Sequence, residues 1–307
     1  MKRFFCFCQI IGCLVISANF CFGQVGDEQF KQNADTTKIF IIGNSFSQNA
    51  TAYLPQLAKE GGIALKIGRA ELPAASLKRH WDGVHAAENN SEKGKVYKGK
   101  SLQMLLEADD WHIVTVQQSS MFSGYEDSYW PYAQELCDFI KRVLPNCKIL
   151  IHQTWAYRSD AKKFGLIGDK ENAQNTESMW KSVENAYQSV SRKLNVELIP
   201  TGTAFWKAST AGGNMQYHED STFNDEQSPF PKLPNQDYSL HVGYYSDKQK
   251  KLKIDPNHAN DAGKYLGSLV WYATIFSEDP TKLRFKPKKV DYTFAKFLRE
   301  VARSVTE

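Results

Sequence analysis

The sequence predicts an α/β fold, a doubly wound parallel sheet of about five strands flanked by helices in a single domain. Short apolar runs rich in β-branched residues alternate with helix-period segments along most of the chain, which is the pattern of successive βαβ units. The runs are apolar throughout instead of strictly alternating, as expected of strands covered on both faces. The first run, Lys38-Ile39-Phe40-Ile41-Ile42, breaks off in Gly43-Asn44-Ser45-Phe46-Ser47 ahead of a helical segment. Ligands of such sheets bind beyond the carboxyl ends of the strands, where Ser45 and Gln117 fall.

Taken in order, the chain begins with a leader. Lys2-Arg3 is a basic n-region, Phe4 to Phe22 is apolar, and Ala18, Gly23 and Gln24 make a small-residue cleavage zone. Residues 1–23 therefore read as a secretory signal peptide, which predicts a secreted or periplasmic protein with no membrane span once mature. The apolar core is short and broken by Gln9, Ser17 and Asn19, which argues against a retained anchor. Ile11-Gly12-Cys13 faintly resembles a lipoprotein processing site, but Leu14-Val15-Ile16 carries the apolar core past that cysteine. A linker at 24–37 leads into one domain at 38–307.

Strands are predicted at 38–42, 64–68, 112–116, 148–152 and 196–199, each a short apolar run such as Lys148-Ile149-Leu150-Ile151-His152. Helices are predicted at 50–60, 129–144, 171–194, 259–276 and 292–305, the fourth strongly apolar. Residues 82–100 are charged and contain glycine, and read as a surface loop. Residues 211–253 hold Pro229, Pro231 and Pro234 with little periodicity; their aromatics (Tyr217, Phe223, Phe230, Tyr238, Tyr244, Tyr245) favour a folded loop or lid over a linker.

The 307 residues carry 38 basic and 34 acidic side chains, and setting aside Lys2 and Arg3 leaves 36 against 34. No basic stripe interleaved with aromatics is present, so nucleic acid is excluded as a partner. Aromatics make up 13% of the chain. Trp81, Tyr125, Tyr129, Trp130, Trp155 and Tyr157 lie in polar company, which suits either a cleft that stacks on sugars or ordinary core packing. Cys6, Cys8, Cys13 and Cys21 leave with the leader; Cys137 and Cys147 remain, as one bridge or as two buried thiols. His80, His85, His112, His152, His218 and His241 lack metal-ligand spacing and no His-Glu-x-x-His occurs, so no metal and no cofactor are expected.

The residues that carry chemistry lie at the two ends of the domain. A hydroxyl is a poor nucleophile until a base accepts its proton, and the base must be held in the right tautomer. Ser45 supplies the hydroxyl. Asp255-Pro256-Asn257-His258, just ahead of the apolar helix, supplies His258 as base and Asp255 as its orienting carboxylate, on one loop at a helix start. Either segment alone has a plainer reading, as a turn or a helix N-cap.

The order of these blocks resembles the SGNH, or GDSL, hydrolase superfamily over most of the mature chain. Gly43-Asn44-Ser45-Phe46-Ser47 resembles its first block, with Asn44 where aspartate is commoner. Asp255-Pro256-Asn257-His258 with Gly263-Lys264-Tyr265-Leu266 resembles its last. Trp111 to Ser119, His152 to Tyr157 and Ile199 to Ala204 resemble a little-characterised secreted branch. The resemblance implies a flavodoxin-like sheet and ester hydrolysis through an acyl-Ser45 intermediate. It also implies an oxyanion hole built from the Ser45 N–H, a glycine N–H and an asparagine amide. Here Pro73-Ala74-Ala75-Ser76 has Ala75 in the glycine's place, and Gln117 stands for the asparagine. Gln118 is the competing glutamine, on the opposite face of the strand. Asn44, Gln118, His152 and Trp155 are expected to line the substrate pocket.

These readings predict a secreted serine esterase that removes acetyl or similar small acyl groups, on a carbohydrate by analogy. An O-acyltransferase would use the same residues. A non-catalytic glycan-binding protein on the same scaffold is kept in view by the altered oxyanion blocks, and a metal-dependent hydrolase is a distant third.

Overall fold

The computed structural model describes Met1 and residues 36–223 and 233–307. The leader at 1–23 beyond Met1, most of the linker, and Pro229, Phe230 and Pro231 of the predicted lid lie outside the described residues. The chain proper opens with β1 (Thr37–Gly43), whose Ile39 to Ile42 are closed to solvent because they sit inside a sheet. Then come α1 (Ser45–Ala50), α2 (Leu54–Glu60) and β2 (Leu65–Glu71), which runs parallel to β1. After α3 (Leu77–Asn89) and the short α4 (Leu102–Leu106), the chain enters β3 (Ile113–Val116). It continues through α5 (Tyr132–Val143) and β4 (Lys148–His152), then a small hairpin of β5 (Leu166–Gly168) and β6 (Glu171–Asn172). The long α6 (Thr176–Leu194), β7 (Glu197–Ile199) and α7 (Thr201–Thr210) complete the wound part.

The main sheet has the order β2-β1-β3-β4-β7, all parallel. This is the flavodoxin-like order, and the direction of winding reverses between β1 and β3. The crevice opened by that reversal lies at the carboxyl ends of those two strands, beside Ser45 and Gln117.

Two expectations change and two open readings are filled in. The helix read at 50–60 is two helices. The break at Thr51 to Tyr53 precedes Pro55, and the Ser268 hydroxyl bridges it, donating to Ala50 O (2.9 Å) and accepting from Tyr53 N (3.0 Å). Those backbone groups would otherwise be orphaned at the helix ends. Much of the charged segment at 82–100 is α3, capped by Ser76 and buried through Leu77, His80, Gly83 and Val84. Its Lys78–Asp82 pair (2.8 Å) marks the solvated face that the composition emphasised. The described part of 211–253 is folded, as its aromatics suggested. It runs into β8 (His241–Ser246), antiparallel to β9 (Leu252–Ala259), which leads directly into α8 (Asp261–Phe276). Finally, Tyr129, Trp155 and Tyr157 are buried in the core.

α8 is buried almost all round and packs against α1, α2, α7 and the last helix, α9 (Tyr292–Thr306). α3 packs against α4 and α5. Among the described residues no helix is long and apolar enough to cross a membrane. Cys137 and Cys147 are both buried free thiols, and burial pushes the Cys137 thiol up to about 12.

Candidate active site

The nucleophile's seat is built by the end of β1. A Cβ on Gly43 would lie 2.5 Å from Ser47 Oγ and 2.9 Å from Gln117 Oε1, so only glycine lets the strand close over its neighbours. Asn44 then caps α1. Its Oδ1 accepts from Phe46 N (2.9 Å) and from Gln117 Nε2 (2.6 Å), and its Nδ2 donates to Ala75 O (3.0 Å). Three hydrogen bonds thus fix the Asn44 side chain, and Ser45 follows as the first residue of α1.

The base's seat is the β8–β9 hairpin. His241 pairs with Ala259 and Gly243 with Asp255, so two steps along β8 face four along β9. The surplus residues make a bulge at Pro256 to His258, and a bulge re-aims side chains. Within it the Asp255 carboxylate accepts from the backbone N–H of His258 (3.0 Å) and of Asn257 (3.3 Å). It also accepts from the His258 ring at Nδ1, 2.9 Å to Oδ2 and 3.1 Å to Oδ1. With Nδ1 carrying the proton, Nε2 presents its lone pair, and Ser45 Oγ lies 2.9 Å from it. The two partners are 213 positions apart in the chain. The sequence placed Asp255 and His258 on a loop at a helix start; the structure puts both on β9.

Burial pushes the Asp255 carboxyl up, but hydrogen bonds from the His258 ring and backbone outweigh it, and the net direction is down. It is therefore a carboxylate at neutral pH, as an orienting group must be. Neither side chain is closed in: His258 is 36% and Asp255 27% exposed.

The predicted oxyanion donors fare differently. The Ala75 N–H is engaged in a turn with Leu72 O (3.2 Å). The left-handed residue there is Ala74, at φ 51°. Gln117 is buried beneath Gly43 and Asn44, its amide on Asn44 and its Oε1 3.3 Å from His152 Nδ1. The Gln117 amide thus spends one of its two N–H donors on the nucleophile's cap, Asn44, while the Ala75 N–H closes its own turn on Leu72 O.

The expected pocket-lining residues are also structural. Asn44, Gln118, His152 and Trp155 are at most 2% exposed. Gln118 Oε1 accepts from Leu77 N (3.1 Å) and Ser119 N (2.8 Å), stapling α3 to the end of β3. His152 packs edge-on against Trp271, and burial lowers its ring to about 3. Trp155 is stacked on Phe205 (4.4 Å) and donates from Nε1 to Asn257 O (2.8 Å). No local sequence signal marks what else holds the bulge and its flank: Asn49 Oδ1, which accepts from Ala259 N (2.9 Å), and Arg158, whose N–H donates to Pro256 O (2.9 Å). Among the described residues no group of three or more His, Cys, Asp or Glu is placed to hold a metal ion.

Solved structures resemble this chain. A crystal structure of a DUF4886 family protein from Bacteroides uniformis is 25% identical, covers 88% of this chain and 95% of its own, and superposes with a TM-score of 0.66. A protein from Slackia heliotrinireducens provisionally assigned as an SGNH hydrolase is 15% identical over 78% of this chain and 100% of that one, with a TM-score of 0.48. A family 3 carbohydrate esterase from Clostridium thermocellum is 12% identical over 79% and 96%, with a TM-score of 0.43. No curated protein matches the sequence. The family described as a domain of unknown function, DUF4886, matches residues 38–226, and the chain belongs to it.

Proposed function

We propose that this protein is a serine ester hydrolase of SGNH type that removes acetyl or similarly small acyl groups from an exported carbohydrate. The observation that carries the reading is the hydrogen-bonded series Ser45 Oγ, His258 Nε2, His258 Nδ1, Asp255 Oδ2, with 2.9 Å at both junctions. A hydroxyl, a base and an orienting carboxylate in that order form an activated nucleophile.

The chemistry follows from the contacts. As Ser45 Oγ attacks the ester carbonyl, its proton passes to His258 Nε2, and the Asp255 carboxylate stabilises the imidazolium. The imidazolium returns that proton to the leaving alcohol, and acyl-Ser45 remains. Water then attacks with His258 again as base, releasing the acid and restoring the hydroxyl. Of the three predicted oxyanion donors, the Ser45 N–H stands at the first position of α1, where the helix offers it no acceptor.

The alcohol is read from the rim. The triad is half-exposed, and one turn along α1 from Ser45 stands the exposed, polar Gln48. A polar, open rim suits a hydroxyl-rich alcohol too large for a closed cavity better than it suits a lipid. Engagement of Ala75 and Gln117 favours a second reading, a glycan-binding protein without turnover. Hydrolysis of p-nitrophenyl acetate by wild type and Ser45→Ala separates the two. Turnover lost in the variant supports the esterase; equal rates, or none from either, overturn it. Acetate release from a panel of acetylated glycans then identifies the alcohol.

A further inference from the structure

We propose that Arg158 is a positioning residue that locks the β9 bulge, and through it the Asp255–His258 pair, into register with Ser45. The proposal rests on the esterase reading for its kinetic consequence. Arg158 is only 3% exposed, and a buried guanidinium is costly unless every donor is placed. Here four hydrogen bonds engage all three nitrogens of the fork. Nε donates to Asp160 Oδ1 (2.8 Å), Nη2 to Asp160 Oδ2 (2.6 Å), and Nη1 to Gln236 Oε1 (2.7 Å) and Ser239 Oγ (3.4 Å). The Tyr217 ring covers the guanidinium, its centre 4.8 Å away, and Tyr244 flanks it at 5.7 Å.

These contacts converge on the strand that backs the catalytic pair. Gln236 in turn holds β8, accepting from Tyr244 N (2.7 Å) and donating to Tyr244 O (2.9 Å). Arg158 passes against Gly243, the residue of β8 paired with Asp255. A Cβ on Gly243 would lie 1.9 Å from Arg158 Nη1, and the residue has φ +66°, so glycine is required on both counts. The Arg158 backbone N–H meanwhile holds Pro256 O from the other side of the bulge (2.9 Å). One residue therefore grips both strands at the point where the surplus residues leave the ladder. A buried ion pair adds little to stability that apolar packing could not supply. What a planar, five-donor fork adds is a fixed geometry.

The test is Arg158→Lys, which keeps the charge and loses the fork, with Gly243→Ala as an independent way of displacing the same guanidinium. Folded variants, checked by circular dichroism, are expected to lose kcat on p-nitrophenyl acetate about 10- to 100-fold, as a displaced catalytic group does, with KM within about twofold. The downfield proton resonance of His258 Nδ1–H, assigned by its loss in His258→Gln, should shift or broaden in both. If Arg158→Lys does not fold, Gly243→Ala decides by the same readouts. Wild-type kcat with an unmoved resonance, or a loss confined to KM, overturns the role. Should wild type itself show no turnover, the esterase reading fails, and the resonance alone still decides whether Arg158 positions the pair.

Discussion

Ser45 stands at the end of an interior strand of the main sheet, above Asn44, Gln117 and His152, which are at most 2% exposed. His258 and Asp255 stand on a two-stranded hairpin outside that sheet and are 36% and 27% exposed. The two halves of one hydrogen-bonded unit thus have opposite environments. The nucleophile is held from below by buried polar groups that each need their partner. The base is held from the sides, by Trp155, Asn49 and Arg158 acting on backbone atoms of the bulge. Damage to the first seat should therefore be read out as stability, and damage to the second as rate.

The largest effect tests the half-exposed side. His258→Gln is expected to lower kcat on p-nitrophenyl acetate about 10³- to 10⁴-fold or more, while the melting temperature stays near wild type. A large loss of stability would break the comparison, because it would make the base part of the core. Asp255→Asn should follow, at about 10²- to 10⁴-fold in kcat, since an amide favours the wrong ring tautomer. Its Oδ1 can still accept the two backbone N–H groups, so folding should survive. The folded-state pKa of Asp255 lies below its ordinary 3.8. The stabilisation it brings is present above that value and is lost only as pH falls through the lower, folded one.

Acid sharpens the contrast from the buried side. His80, His152 and His241 are held neutral, burial lowering their rings to about 4, about 3 and about 4 from the usual 6.5. The unfolded chain binds these protons first, so stability is complete above 6.5 and declines as pH falls toward 4. The urea midpoint should therefore drop steadily across that window. A midpoint flat from pH 7 to 4.5 would mean that these rings are wetter than the structure shows.

Most of the buried frame could be read from the sequence, and most of the other seat could not. The five parallel strands, the Gly43-Asn44-Ser45 turn and the Asp255-x-x-His258 spacing are local signals: apolar runs, one glycine, one short motif. The hairpin was hidden because the turn at 247–250 is polar and β8 is only partly buried, so 211–253 showed no clear period. Lys78, Arg79 and Asp82 hid α3 in the same way, by advertising its solvated face. Arg158 was invisible for a different reason. Its partners Gln236 and Ser239 lie 78 and 81 positions away, and nothing in a run of residues announces a contact made across the fold. Gln117 was noticed for its place at the end of β3, but its contact with Asn44 Oδ1 was not legible.

The role of Gln117 is itself testable. An oxyanion donor at Gln117 would make Gln117→Leu a catalytic lesion, about 10²- to 10³-fold in kcat with stability intact. A strut beneath Asn44 makes it a stability lesion of about 1–3 kcal/mol, because Asn44 Oδ1 and His152 Nδ1 both lose a buried partner. The structure predicts the second. Urea unfolding and kcat measured on the same preparation distinguish them.

The smallest effect is the most discriminating about the base's seat. Trp155→Phe keeps an aromatic ring stacked on Phe205 and removes only the Nε1–H that reaches Asn257 O. One hydrogen bond to a bulge carbonyl is worth about 1 kcal/mol, and its loss frees one side of the loop that aims His258. The expected outcome is a several-fold fall in kcat with KM unchanged, since a ring closed to solvent touches no substrate. A raised KM with kcat intact would instead return Trp155 to the pocket wall. The bulge would then have to be rigid without it, held by Asn49 and Arg158 alone.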